Sequence, residues 1–393
     1  MKKFVIILSV LLLGGNPAAL LAGNPAWCLK DRRQAKTVES LTELEEGRLF
    51  RLDYKADYRL QDFVDADLDS KEAVQGGVAQ MLLDFSSMPA GSLSAHGPSV
   101  FLGSDELSFR PACSAFQAVT PDGEVIYGRN FDYDFDEGSA IVMRTRPRKG
   151  YRSVSLVSMD HVGLSGPQLS DGETDLSMLV AAPYAMMDGV NERGLAVSVL
   201  ALTGGGCACQ YEEGKHTVMT TVLMRLMLDR AASVDEALTL CGNYNFFADG
   251  EQRRVRAGDK TNYHFLLSDA SGRTVVLEYV QEGGLKGKGP WVMKVLEERC
   301  VTNFYLAEGW RSVIRPDKRY DTMMQTLAGN QAVMTEAQAM DLLQAVSQKA
   351  AHKGDVRTQW SVVYNLTRRT ATICPAGDYS HPYTVSVRPR DWR

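Results

Sequence analysis

Residues 113–135 read CSAFQAVTPDGEVIYGRNFDYDF, and this stretch governs how the rest of the chain is understood. SAFQAVT and EVIYGRNFD are rich in β-formers, and Pro121-Asp122-Gly123 between them is a hairpin signal. A two-residue turn at Asp122-Gly123 sets Pro121 opposite Glu124 and carries Cys113 opposite Asp132 on one face of the ribbon. Arg129 then falls on the other face, so a bulge or a longer turn is required to bring it to the thiol. A thiol with an ordinary pKa of about 8.5 needs a base or a positive neighbour to act near neutral pH. If the chain is cut before Cys113, the new α-amine, with an ordinary pKa of about 7.7–8.0, supplies that base. Nucleophile and base then belong to one residue, with Arg129 to stabilise the thiolate and Asp132 to hold the amine. A buried strand cysteine beside a surface Arg–Asp pair is the plain alternative.

Strand runs continue at SVSLVSM, GLAVSVLAL, YHFLLSD, TVVLEYV, WVMKVLE, WSVVYNL and TATIC, with a second hairpin signal at Ala270-Ser271-Gly272. A methionine-rich apolar helix is expected over 217–228. A second opens at the capping-box pair Ser233 and Glu236, and a third runs from 336 to about 349 behind Thr335 and Gln338. Strands mixed with paired helices predict α+β layers rather than a parallel βαβ sheet.

The chain has 393 residues, 45% hydrophobic and 23% charged, with a net charge of −5. That composition excludes collagen-like, coiled-coil and wholly disordered classes, and the length supports a sizeable core without disulfide staples. There is no basic footprint for nucleic acid. Lys2 and Lys3 precede an apolar run over 4–13, which Gly14, Gly15 and Pro17 break before the small residues Ala18, Ala19 and Ala22. This is the pattern of a secretory signal, cut after Ala22 or, as second choice, Ala26. The run falls short of the roughly 20 residues that a membrane span needs. An exported protein, periplasmic or extracellular, with no stable span is therefore expected.

Residues 27–112 carry a net charge of −5, and the chain from Cys113 onward only −2. Within 38–83, Leu41, Leu44, Leu49 and Leu52 have helical spacing and predict one or two amphipathic helices. Residues 86–111 turn to Ser, Gly and Pro, as in a loop. The seven cysteines (Cys28, Cys113, Cys207, Cys209, Cys241, Cys300 and Cys374) leave one thiol over, and spacing does not reveal which of the others pair. No C-x-x-C pair or HExxH occurs, so neither a metal nor a cofactor is expected. His161, His216 and His264 are open candidates to partner Cys113. Tyr133, Phe135, Tyr184 and Met186 are candidates for an apolar pocket, although methionines at helical spacing, such as Met224 and Met227, are more simply core. Asn365-Leu366-Thr367 fits the glycosylation triplet and carries little weight.

Arg129 and Asp132 stand sixteen and nineteen residues after Cys113. This spacing resembles the choloylglycine hydrolase family of N-terminal-nucleophile, linear amide C–N hydrolases, which includes bile salt hydrolases, penicillin V acylases, acid ceramidase and N-acylethanolamine amidase. Further matches follow in family order: DGVNERGLAV over 188–197, VTNF over 301–304, DKRYDTM over 317–323 and WSVVYNL over 360–366.

The resemblance implies an α+β, four-layer αββα sandwich of two antiparallel sheets flanked by helices. It implies that Cys113 attacks the amide carbonyl, that Arg129 and Asp132 tune and orient it, and that Asn303 donates to the oxyanion while Arg319 completes the cluster. Ala201 stands where bile salt hydrolases carry an Asn, so it serves substrate through its backbone N–H or the substrate differs. The chain is then a signal peptide (1–22), a helical propeptide or small subunit (23–112) and a catalytic domain (113–393). The long lead-in resembles the acid ceramidase and N-acylethanolamine amidase branch, in which self-cleavage before the Cys leaves the front segment bound. The expected substrate is a small-molecule N-acyl amide, lipid-like or a conjugated bile salt. Acyl transfer to another amine, penicillin V acylase-type activity and a non-catalytic exported acyl-binding protein are the alternatives, and homo-oligomerisation stays open.

Overall fold

The computed structural model describes residues 29, 31–67, 112–136, 138–162, 164–202, 206–248, 262–284, 287–310 and 318–392. The expected export signal, with its cut after Ala22 or Ala26, and the linker 86–111 lie outside the described residues.

The front of the chain opens with α1 (Arg32–Val38), capped by the Asp31 carboxylate, which accepts from the Arg33 N–H at 2.7 Å. A hairpin of β1 (Thr42–Glu45) and β2 (Leu49–Tyr54) follows, then α2 (Leu60–Asp65). This corrects the all-helical reading of the lead-in. Leu49 and Leu52 have helical spacing, but Phe50-Arg51-Leu52-Asp53-Tyr54 also alternates apolar with charged residues, the period of a strand. The tertiary structure selects the strand, because β2 adds in parallel to the segment Ala140–Thr145 and buries Leu49, Phe50 and Leu52.

β3 (Ser114–Val119) and β4 (Val125–Tyr133) form the expected hairpin. Their register pairs Ser114 with Asn130 and Val119 with Val125, and the Thr120 N–H donates to Glu124 O at 2.7 Å. The turn therefore holds three residues, Pro121 to Gly123, instead of the two expected. Gly123 takes φ +81°, the left-handed conformation that closes such loops. The extra residue sets Arg129 opposite Ala115, on the face that Cys113 shares.

β5 (Ala140–Thr145), β6 (Ser153–Val157), the short α3 (Gly166–Ser170), β7 (Met186–Asn191) and β8 (Ala196–Leu202) come next. A small sheet follows, of β9 (Cys209–Gln210), β10 (Thr217–Met219) and β11 (Asn245–Phe247). Between β10 and β11 run α4 (Thr220–Arg230) and α5 (Val234–Cys241). The helix expected over 217–228 starts three residues late, because 217–219 pairs with β11 instead. β12 (Asn262–Ser268) and β13 (Thr274–Gln281) form the second expected hairpin. The chain ends with β14 (Trp291–Leu296), β15 (Cys300–Val301), α6 (Lys318–Gly329), α7 (Glu336–Ala345), β16 (Arg357–Asn365), β17 (Thr370–Pro375) and β18 (Tyr383–Ser386). Thr335 and Gln338 form the expected capping box of α7.

The large sheet has the order β1-β2-β5-β6-β7-β8-β12-β13-β14, and the smaller one β15-β3-β4-β16-β17-β18. Tyr127, Trp360, Val362 and Tyr364 of the smaller sheet share one core with Leu156, Val190, Leu200 and Leu266 of the larger. α4 covers the outer face of the large sheet at β7 and β8, tied there by the Asn191 side chain, which donates to Leu228 O at 2.9 Å. α7 covers β4 and β16, where the Asn130 side chain donates to Leu343 O at 2.7 Å. The layers run helix, sheet, sheet, helix, which is the expected αββα stack. Among the described residues no helix is long and apolar enough to cross a membrane. Asn365, of the glycosylation triplet, is only 1% exposed and bonds to Glu124 and Glu336.

Candidate active site

Cys113 sits directly before β3, 5% exposed, with a free thiol that donates weakly to Asp132 O at 4.0 Å. The three-residue turn brings the Arg129 guanidinium to the side of this thiol, close enough for the two to interact electrostatically. Arg129 has no solvent exposure. It donates to Val199 O at 2.7 Å and lies 3.8 Å from Asp188 Oδ2. Burial works against its charge, yet Cys113 and Asp188 beside it hold the guanidinium above its usual value. Asp188 is equally buried and accepts from Trp360 Nε1 at 3.0 Å and from the Tyr364 hydroxyl at 2.5 Å. Burial pushes its carboxyl up to about 6, against the opposing pull of Arg129 and the two hydrogen bonds.

Arg319, near the start of α6, closes the other side. Its Nη1 donates to Cys113 O at 2.9 Å and also to Ala112 O, so the guanidinium straddles the Ala112–Cys113 peptide bond. The same nitrogen lies 3.6 Å from Asp132 Oδ2, and Nη2 donates to Asn303 Oδ1 at 3.3 Å. Asp132 Oδ1 accepts from the Thr358 hydroxyl at 2.5 Å. Asn303 Nδ2 donates one hydrogen to Ala201 O at 2.8 Å. An amide nitrogen carries two hydrogens, so among the described residues one is left for a ligand. Cys113, Asp132, Asn303 and Arg319 thus share one network, and Arg129 with Asp188 lies beside it. At Ala201 the carbonyl makes the contact to this network.

The glycines of the motifs have steric reasons. A Cβ on Gly128 would sit 2.6 Å from the ring of Phe116, directly opposite it in the β3–β4 ladder. A Cβ on Gly189 would meet Ser155 Oγ at 2.8 Å and Val154 O at 2.9 Å. Asn191 Oδ1 accepts from the N–H groups of Arg193 and Leu195 at 3.0 and 3.1 Å, which shapes the β7–β8 turn. In DGVNERGLAV, then, Asp188 reaches the site, while Gly189 packs against β6 and Asn191 shapes the turn that follows.

Sequence reasoning missed Asp188 and Thr358 as site residues. The signal for Asp188 was a carboxylate set among the apolar residues of AMMDGV, which needs a buried partner. Thr358 carried no signal, because the bulge between Thr358 and Trp360 that aims it is set by pairing with β4. Tyr133 and Phe135 stack at 4.3 Å and meet His161 edge-on at 4.7 and 5.0 Å, beyond Phe131 at the same end of β4. This is an aromatic wall next to Asp132. Tyr184 and Met186 are not brought there. Tyr184 donates to Tyr58 O at 2.5 Å, and Met186 Sδ lies 3.8 Å from Arg225, in the outer core beneath α4. Of the candidate histidines, His264 pairs with Glu278 and His216 with Asp67.

A family model described as linear amide C–N hydrolases, choloylglycine hydrolase family, matches residues 113–287. Among solved structures, a variant of the conjugated bile acid hydrolase from Clostridium perfringens is 14% identical with a TM-score of 0.46, over 70% of this chain and 92% of that one. Penicillin V acylase from Agrobacterium tumefaciens is 19% identical with a TM-score of 0.44, over 67% and 83%. An N-acylethanolamine-hydrolyzing acid amidase ortholog from Caenorhabditis elegans is 14% identical with a TM-score of 0.37, over 70% and 99%. Comparison with curated proteins gives no match. The family match begins at the residue that Arg129 and Arg319 flank, and over residues 113–287 the chain is similar to the linear amide C–N hydrolases of the choloylglycine hydrolase family.

Proposed function

We propose that the protein is an exported, self-processing cysteine amidohydrolase of N-acyl amides, with Cys113 as nucleophile. The observation that carries this reading is the Ala112–Cys113 peptide bond held between the thiol and the Arg319 guanidinium, which donates to both flanking carbonyls. In processing, Cys113 Sγ attacks the Ala112 carbonyl carbon, the C–N bond breaks, and a thioester forms as the α-amine is released. Water then hydrolyses the thioester to the Ala112 carboxylate and the free thiol. In turnover the same thiol attacks the substrate amide. The α-amine takes its proton and passes it to the leaving amine, and water releases the acyl group. Asn303 donates its remaining amide hydrogen to the oxyanion, a contribution typically worth about 2.7–4 kcal/mol. The aromatic wall of Tyr133, Phe135 and His161 suits an apolar acyl group and supports lipid-like amides first, conjugated bile salts second.

Intact mass after purification tests the cut. Two polypeptides are expected from the wild type and one uncut chain, without activity, from Cys113→Ala. An active preparation that remains a single chain would sink the processing step. A panel of N-acyl ethanolamines, bile conjugates, penicillin V and N-acyl amino acids, read by amine release, tests the substrate class. Turnover confined to penicillin V overturns the lipid-like assignment.

A further inference from the structure

Asn303 lies on the irregular segment 302–307, which has no ladder of its own to hold it. Two side chains of the large sheet hold it instead. His264 Nε2 faces Thr302 O at 2.7 Å, directly before Asn303. The Glu278 carboxylate accepts from the N–H groups of Leu306 and Ala307 at 2.8 and 2.9 Å, after it. His264 and Glu278 stand directly opposite each other in the β12–β13 ladder, with His264 Nδ1 3.1 Å from Glu278 Oε1. Neither has any solvent exposure. A third tie comes from Asn262, two residues before His264, whose amide donates to the Tyr305 hydroxyl at 3.0 Å.

A buried carboxylate and imidazole carry a large desolvation cost and need a full set of partners. Here the partners are the backbone on both sides of one residue, Asn303. The two ring nitrogens of His264 face Glu278 Oε1 and Thr302 O, so the ring is held at both ends. We propose that His264 and Glu278 are positioning residues that fix the Asn303 amide toward the reacting carbonyl. The inference rests on the reading of Asn303 as the oxyanion donor. It goes beyond that reading by assigning a function to a buried pair whose hydrogen bonds, among the described residues, reach only each other and the backbone around Asn303. The aim of an oxyanion donor must hold to a fraction of an ångström, and displacement of about 1 Å can cost about a hundredfold in rate.

The test is a double-mutant cycle in the full-length protein with an N-acyl aminocoumarin amide as probe. His264→Ala is expected to lower kcat about tenfold to a hundredfold with KM within twofold of wild type. His264→Gln, which keeps one N–H donor, should recover part of that loss. In an Asn303→Ala background, His264→Ala should cost less than about threefold more, because the residue it positions is gone. Glu278→Gln goes through the same cycle and carries the test if His264→Ala does not fold. Equal losses in both backgrounds overturn the inference and leave the oxyanion reading standing. Full kcat in Asn303→Ala overturns the oxyanion reading and this inference with it. A lowered Tm with unchanged kcat below the transition shows a purely structural clamp and also overturns it.

Discussion

Arg129 and Asp188 are two charged groups without solvent contact, 3.8 Å apart, and each is anchored by further hydrogen bonds. Removing one member of such a buried pair strands the other, at a typical cost of about 3–5 kcal/mol. Asp188→Ala, which also strands the Trp360 and Tyr364 donors, should therefore lower stability by about 3 kcal/mol in denaturant titration. It should also remove an acid limb from the rate profile. With the Asp188 carboxyl raised to about 6, wild-type kcat should fall as pH drops through that value and the charge beside Arg129 is lost. Between its ordinary 3.8 and about 6, the folded state holds a proton on Asp188 that the unfolded chain has released. This group thus costs stability as pH rises through that window and favours the fold below it, so the acid limb should precede unfolding. A profile that tracks loss of structure instead would contradict the assignment. Asn303→Ala should lower kcat about 10²–10³-fold, read with saturating substrate.

The β3–β4 hairpin is legible from its own residues, since β-rich runs on either side of Pro121-Asp122-Gly123 interact only with near neighbours. Its turn length is not, because the three-residue loop is chosen by the ladders that β3 and β4 make with β15 and β16 as well as with each other. The choice matters, since one residue decides whether Arg129 faces the thiol. Deleting Asp122 should shift the pairing by one residue, turn Arg129 away and abolish activity while circular dichroism still reports a sheet protein. Gly123→Ala meets nothing within 4 Å, so only the left-handed conformation resists it, at about 1–2 kcal/mol, with kcat unchanged. Gly128→Ala pushes on the Phe116 ring, and both kcat and Tm should fall because the next residue is Arg129.

At the scale of the molecule the front segment is part of the sandwich. Leu49, Phe50, Leu52 and Phe63 are buried, each typically worth about 1.5–3 kcal/mol. Tyr58 donates to the buried Asp229, which also pairs with Arg225 at 2.7 Å, and Tyr54 donates to Val180 O at 2.8 Å. After a cut at Ala112 the two pieces should co-elute on size exclusion and separate only in denaturant. A catalytic fragment that elutes alone and keeps its Tm would show that the segment is dispensable.

The sequence by itself determined what near neighbours decide: the Cys113 hairpin, the capping box at Thr335, the spacing of Arg129 and Asp132, and the resemblance those residues carry. Even the strand at Phe50 was written in its alternation, beneath a competing helical spacing. Tertiary structure decided the rest, because the groups concerned are far apart along the chain. Arg319 reaches Cys113 across 206 residues and Thr358 reaches Asp132 across 226. Which carboxylate balances Arg129, which backbone the buried His264–Glu278 pair clamps, and whether β2 finds a sheet edge depend on how two sheets stack. That stacking follows from the burial of apolar surface summed over the whole chain, and no single stretch of it can report the outcome.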